Sequence, residues 1–263
     1  MSSAWLAWPE SEADTRRLHG LWERTDLAEP DDVRYYYFHP NGLGLYRFGK
    51  TALNYTHMFR YELRGAKLKI RFLRSGERAS TRIAVNAACP YGHASTRGEW
   101  LTLESDPREQ NRRVRYRKRT MSAELGPDEQ PHDFARMWMH EQRVTGRSEF
   151  AIYQFQRPDR KGRGRGWFHR GDYDEWSTES LSYERTAQGL RLKFDLGGAH
   201  DTPILERKCG NRRSLILARD PRNYWHQQTY VDRGPSFATA RSEELRWRFL
   251  DELQGSAASN LAR

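Results

Sequence analysis

The sequence predicts an all-β protein made of two tandem antiparallel β-barrels flanked by short terminal helices. Three observations predict it: segments that recur in the same order in both halves, apolar side chains at alternate positions, and turn residues between the apolar runs. The repetition is clearest where Leu101-x-Leu103-x-x-Asp106-Pro107-Arg108 is answered by Leu215-x-Leu217-x-x-Asp220-Pro221-Arg222. At that same offset Tyr116 meets Tyr230 and Arg119 meets Arg233. Upstream, Tyr61-Glu62 and Leu68-Lys69-Ile70-Arg71-Phe72 correspond to Tyr183-Glu184 and Leu190-Arg191-Leu192-Lys193-Phe194. Gly42-x-Gly44-x-x-x-Phe48 corresponds to Gly162-x-Gly164-x-x-x-Phe168, and Trp22 to Trp138. Short loop insertions and deletions absorb the drift in offset.

In chain order, Ser11 to Arg17 reads as a short helix leading into the first strand. Tyr35-x-Tyr37, Leu43-x-Leu45, Phe59-x-Tyr61-x-Leu63, Leu68-x-Ile70-x-Phe72 and Leu101-x-Leu103 alternate with polar residues, as half-buried antiparallel strands do. Turn signals separate them at His39-Pro40-Asn41-Gly42, Arg64-Gly65-Ala66, Ser75-Gly76, Tyr91-Gly92 and Asp106-Pro107-Arg108. A hundred residues at that spacing yield about eight strands, enough to close a small barrel. The first barrel with its helix is expected over residues 1–120, and a linker containing Gly126-Pro127 and Pro131 over 121–133. A second barrel follows over 134–235, then a C-terminal helix and tail over 236–263. That helix has Ser242 as N-cap, acids in its first turn, and Leu245, Phe249, Leu250 and Leu253 on one face.

The 263 residues carry 45 basic and 35 acidic side chains, a net charge of +10. The basic residues are mostly arginines spread along the chain, which points only weakly to an acidic partner. Cys89 and Cys209 lie far apart with no paired Cys-x-x-Cys spacing, and Cys89-x-x-x-His93 lacks a second pair of ligands. Reduced, structural cysteines are expected, with neither metal nor other cofactor. Met1 to Glu10 has no basic segment leading into a long apolar run, and no stretch of about eighteen apolar residues occurs. A cytoplasmic protein without membrane contact is expected; the oligomeric state is left open.

The short helical turn, Gly20-x-Trp22 at the first strand, the eight-strand pattern and the basic residues Arg115, Arg117 and Arg119 on its last strand resemble the lipocalin and lipocalin-like group. In that group the tryptophan closes the barrel floor beneath an arginine or lysine from near the end of the last strand. The resemblance implies that Trp22 pairs with Arg117 or Arg119. The second half has Arg136-Met137-Trp138 without the glycine, and there it implies Trp138 with Arg233. It covers about residues 15–119 and 134–235, and implies tandem barrels with closed floors, open mouths and a cavity for a small, mainly apolar ligand.

Aromatic residues make up 13% of the chain, with nine tryptophans and thirteen tyrosines. Such rings line ligand pockets as readily as they fill cores. In Tyr35-Tyr36-Tyr37-Phe38, alternation sends Tyr35 and Tyr37 to one side and Tyr36 and Phe38 to the other. Tyr35, Tyr37, Trp167, Trp176, Tyr224, Trp225 and His226 are the candidate ligand contacts. The stretch His169-Arg170-Gly171-Asp172-Tyr173-Asp174-Glu175-Trp176 puts an imidazole, carboxylates and rings together, making His169, Asp172, Tyr173 and Asp174 the acid–base candidates. The matching stretch of the first half, Gly49 to His57, has a histidine but no acid cluster. Asn41-Gly42-Leu43-Gly44 and Lys161-Gly162-Arg163-Gly164-Arg165-Gly166 open no helix, so dinucleotide and P-loop readings fail. Arg160, Arg163 and Arg165 beside Trp167 and Phe168 remain candidate anion contacts, and Arg112 to Arg119 is a second basic run. The expected function is binding of a small aromatic or amphipathic ligand in a barrel cavity, the second barrel favoured. Two alternatives stand beside it: a cofactor-free isomerase, cyclase or hydratase of a biosynthetic pathway, and a basic scaffold for nucleic acid or an acidic protein.

Overall fold

The computed structural model describes residues 15–86, 98–119, 134–144, 146–210 and 212–235. The chain is all-β. Its described part divides into two compact units, one of residues 15–30, 34–47 and 57–119, the other of 31–33, 48–56 and 134–235.

Strands β1 (Gly20–Glu23), β2 (Asp32–Phe38), β3 (Leu43–Lys50), β4 (Leu53–Arg64), β5 (Lys67–Phe72), β6 (Arg78–Asn86), β7 (Trp100–Asp106) and β8 (Arg112–Arg119) follow one another as antiparallel neighbours. β1 pairs with β2 through Trp22 and Tyr36 and with β8 through Trp22 and Lys118, which closes an eight-strand antiparallel barrel. The alternation of the sequence maps onto its two faces. In β5, Leu68, Ile70 and Phe72 are buried while Lys67, Lys69 and Arg71 are exposed. The same rule sends Val114 and Tyr116 inward and Arg113, Arg115, Arg117 and Arg119 outward.

Rings fill the interior. Tyr36 lies 4.7 Å from Tyr46 and 5.4 Å from Tyr116 between ring centroids, Phe38 5.1 Å from Tyr61, and Phe59 5.7 Å from Phe72. Burying each ring stabilises the fold by about 1.5–3 kcal/mol, and each tilted or edge-on pair adds about 1 kcal/mol. Gly44 makes room for this packing, since a Cβ there would sit 2.3 Å from the Phe59 ring. Gly164 does the same beside Tyr183, at 2.6 Å. The glycine-rich stretches thus serve ring packing.

The cations over the two tryptophans differ from the expected ones. Trp22 is fully buried and its indole nitrogen donates to Leu18 O at 2.6 Å, on a single helical turn closed by Leu18 N to Thr15 O. The cation above it is Lys118, 5.3 Å from the ring, not Arg117 or Arg119. Alternation explains the change: Tyr116 faces inward, so Lys118 does too and its arginine neighbours cannot. Arg119 bonds Glu23 instead. Over Trp138 the cation is Arg213, 6.0 Å away, while Arg233 pairs with Glu141 at 3.5 Å. Among the described residues there is no helix beyond the turn at Thr15; the expected C-terminal helix, the linker and the Cys89–His93 pair lie outside them.

The remaining strands are β9 (Arg136–Val144), β10 (Arg147–Phe155), β11 (Arg163–Asp172), β12 (Glu175–Thr186), β13 (Gly189–Phe194), β14 (Gly198–Thr202), β15 (Ile204–Cys209), β16 (Arg212–Leu217) and β17 (Gln228–Pro235). Antiparallel pairing runs from β9 through β14, then from β15 to β17, and β17 returns to β9 at Val231 and Met139. Pro203 separates β14 from β15, as expected of a residue with no ladder N–H to give. Trp138, Tyr153, Phe155, Phe168, Leu181 and Tyr230 belong to one buried cluster.

Each unit is built around a buried carboxylate. Asp106 is fully buried and accepts the Tyr36 hydroxyl at 2.8 Å, the Tyr116 hydroxyl and the Arg108 N–H at 2.9 Å. Asp220, also fully buried, accepts the Tyr153 hydroxyl at 2.8 Å, the Tyr230 hydroxyl and the Arg222 N–H at 2.8 Å. Removing the carboxylate by Asp106→Ala strands two hydroxyls in the core. A loss of about 3 kcal/mol is expected in urea unfolding, against about 1 kcal/mol for Tyr36→Phe; equal losses would show that the acceptor is not the organising group. Burial is the largest influence on the Asp106 carboxyl and raises its pKa. A raised folded-state pKa contributes stability that is fully present below the unfolded value and is lost as pH rises through the folded value. Wild type is therefore expected to gain stability relative to Asp106→Asn as pH falls from about 7 to about 4, read from urea midpoints at each pH.

Candidate functional site

The Asp220 carboxylate fixes the loop between β16 and β17. Its backbone accepts Asn223 N at 3.1 Å and Trp225 N at 2.9 Å, and its own N–H donates to His226 O at 3.1 Å. Arg222 is clamped as well, its guanidinium 3.7 Å above the Phe194 ring and bonded to Glu179. At the tip Tyr224 and Trp225 take positive φ values of 50° and 64°, and the two residues are 78% and 50% exposed. Left-handed conformations cost a non-glycine residue about 1–2 kcal/mol each, and large rings adopt them rarely. The loop after Asp106 has the same geometry: Asn111 N donates to Asp106 O at 2.8 Å, Arg108 lies 3.5 Å over Phe72, and φ is 56° and 58° at Gln110 and Asn111. The frame is shared, but the side chains differ.

Trp225 packs edge-on against His200, 5.0 Å between centroids, and His200 Nε2 donates to Gly197 O at 2.9 Å. Leu196, next to that carbonyl, is 57% exposed. Trp225 and His200 therefore form an exposed pair of rings, with exposed Tyr224 beside Trp225 in the chain and exposed Leu196 next to the residue that His200 bonds. His226, also exposed, follows on the same loop. Such a surface stacks flat rings and holds a polar substituent at its edge.

The acid–base candidates do not converge. His169 Nδ1 is 2.9 Å from Thr178 Oγ1 and Nε2 is 3.1 Å from Gln154 Oε1, so both ring nitrogens are engaged by neutral groups. Asp172 turns back on its own hairpin, where Oδ1 accepts Asp174 N at 3.0 Å and Glu175 N at 2.9 Å. Tyr173 donates to Glu141 at 2.9 Å; burial first, and then that carboxylate, push its hydroxyl pKa up and keep it protonated. Asp172 thus caps its hairpin, while His169 and Tyr173 each bond elsewhere.

The other candidates are also spread apart. Tyr35 and Tyr37 are buried on the opposite side of β2 from Tyr36 and Phe38, with Arg47 5.6 Å over the Tyr35 ring. Trp176 is buried 6.2 Å from Phe150, and half-buried Trp167 alternates with inward-facing Phe168. Arg163 and Arg165 meet Glu184 at 3.2 Å and Asp195 at 3.6 Å, and exposed Arg160 sits in a turn that Asp159 caps by accepting Lys161 N and Arg163 N. The second basic run lines a groove of about 730 Å³ with Trp100 and Arg24. There Arg115 lies 4.7 Å over Trp100, Arg113 meets Glu104 at 3.2 Å, and Arg24 meets Asp26 at 2.7 Å. Among the described residues no group of three or more His, Cys, Asp or Glu side chains is placed to hold a metal ion, and no helix is long and apolar enough to cross a membrane.

Comparison with known proteins adds no assignment: no family model matches the chain, and no curated protein or solved structure does either. The hairpin-cap role of Asp172 is itself testable. Asp172→Ala is expected to lower stability by about 1 kcal/mol in urea unfolding, through two lost acceptor contacts; unchanged stability would return Asp172 to the list of groups available for chemistry.

Proposed function

We propose that this is a binding protein for a small amphipathic molecule carrying a flat ring, held on the Tyr224–Trp225 platform outside the strands. One observation carries the reading: a loop nailed in place by a buried carboxylate spends its strained left-handed positions on two exposed aromatic side chains. Strain held by the surrounding structure and large exposed rings both mark functional surfaces. The corresponding loop after Asp106 presents Gln110 and Asn111 in the same conformation, and asparagine tolerates it well. The frame therefore does not require rings, and their presence points to a ligand.

The reading includes two expectations about architecture. Strands β9–β17 are taken as a second lipocalin-like barrel with β14 and β15 as one strand bent at Pro203, and the two units as copies of one ancestral domain. The matching environments of Asp106 and Asp220 support this, as do the corresponding placements of Thr81 and Thr202, whose hydroxyls accept Ser105 N at 2.9 Å and Arg219 N at 3.2 Å. The ligand site moves from the barrel interior to the loop because aromatic side chains occupy the β1–β8 interior and pack the core between β9 and β17. The ligand remains assigned to the second unit.

The test is an exchange of the two loops' side chains, Tyr224→Gln with Trp225→Asn. With the fluorescent probe 8-anilinonaphthalene-1-sulfonate, the wild-type chain is expected to bind with enhanced emission and the variant to lose most of it. The same exchange is expected to raise stability by about 0.5–1 kcal/mol, since asparagine relieves the left-handed strain. Retained dye binding, or a variant that unfolds more easily, would assign the rings to packing and overturn the reading.

A further inference from the structure

The outward side of β4, β5 and β6 holds a different kind of surface. Register sets Arg60 opposite Arg71 and Arg71 opposite Arg78. In the next row Glu62, Lys69 and Ser80 are opposite one another, and in the third Arg64, Lys67 and Arg82. Glu62 is the acid of this face, 3.8 Å from Arg64. Arg60, Lys67, Lys69, Arg71 and Arg82 are exposed and make no ion pair among the described residues. Arg60, Lys67, Lys69, Arg71 and Arg78 line a groove of about 660 Å³.

Like charges directly opposite one another weaken a strand pair, so the first and third rows work against the sheet that carries them, while Glu62 faces Lys69 in the second. The packing does not demand them. On the comparable face of β12, β13 and β14, Glu184 is opposite Arg191 and Arg191 is opposite Asp201, with Arg191 Nε donating to Asp201 at 2.9 Å. There the charges compensate; on β4–β6 they accumulate.

We propose that the β4–β6 face binds the phosphate backbone of a nucleic-acid duplex without reading its bases. Strands lie about 4.8 Å apart and same-face residues about 6.7 Å apart along each strand, so the cationic heads cover roughly 10 by 13 Å on long flexible stems. The three rows contain no ring for base stacking, which unpaired nucleic acid requires. An acidic protein is the poorer fit. Protein interfaces desolvate an apolar or aromatic centre, and here the residues of the three rows are all charged or, at Ser80, hydroxylic. Phosphate oxygens, by contrast, need only arginine and lysine within reach.

The experiment is fluorescence anisotropy of the full chain with a labelled DNA duplex of about 20 base pairs and mixed sequence, titrated between about 50 and 200 mM salt. If the face neutralises at least three phosphates, log K falls against log salt with a slope of about −2.7 or steeper, about a 40-fold loss across that range. The Arg60→Gln, Lys69→Gln, Arg71→Gln triple variant is expected to flatten the slope by about 2.7. Arg163→Gln with Arg165→Gln should leave it unchanged. If the triple variant fails to fold by circular dichroism, Lys69→Gln alone decides, with an expected flattening of about 0.9. No wild-type binding at low salt, an unchanged slope in the decisive variant, or displacement of the duplex by an equal charge of polyglutamate would each overturn the proposal, the last in favour of an acidic protein.

Discussion

The structure depends on placing a carboxylate inside each packed core. A buried acid is costly unless donors surround it, and Asp106 meets that demand with Tyr36 from β2, Tyr116 from β8 and the backbone of its own turn. Once these bonds are made, strands far apart in sequence are held at one point, and the turn that follows Asp106 has little freedom left. Asp220 does the same with Tyr153 and Tyr230. The proline after each aspartate and the arginine after that, lying flat on Phe72 or Phe194, complete the clamp. Much of the aromatic content follows from this arrangement, because the hydroxyls need ring-lined walls around them to stay dry.

A rigid turn is also a good mount. The two carboxylate clamps hold their loops in the same left-handed path, yet one carries Gln110 and Asn111 and the other Tyr224 and Trp225. The parts that resemble each other account for folding, and the part that differs is where recognition is to be sought. The same logic applies to the outer sheet faces, where β12–β14 compensates its charges and β4–β6 accumulates them. Left-handed ring residues in the one and like charges face to face in the other both run against local backbone and cross-strand preferences.

Much of the fold was legible in the sequence. Alternation in Leu68-x-Ile70-x-Phe72 and in Val114-x-Tyr116 assigns the inner and outer faces of β5 and β8, and the turn residues lie where strands end. Of the candidate site, Tyr224, Trp225 and His226 were legible as candidate ligand contacts, being a run of aromatic side chains just past the second Asp-Pro-Arg turn. In the His169–Asp174 stretch, closeness in sequence did not foretell the partners: the hairpin turn uses the Asp172 carboxylate on its own backbone, while the imidazole a few residues away bonds across to other strands. The cation over Trp22 was misplaced by one residue because the inward phase of β8 is set by Tyr116 and its bond to Asp106.

Sequence alone determined the β class, the strand spacing, the two Asp-Pro-Arg turns and the aromatic character of the 224–226 loop, because alternation and turn chemistry are local properties. Only the tertiary structure decided what those pieces meet. Tyr36 and Asp106 are 70 residues apart in the chain and 2.8 Å apart in the core, and no local pattern announces that bond. Nor does one announce that Arg60, Arg71 and Arg78 stand in a row, since cross-strand register, rather than sequence distance, brings like charges together.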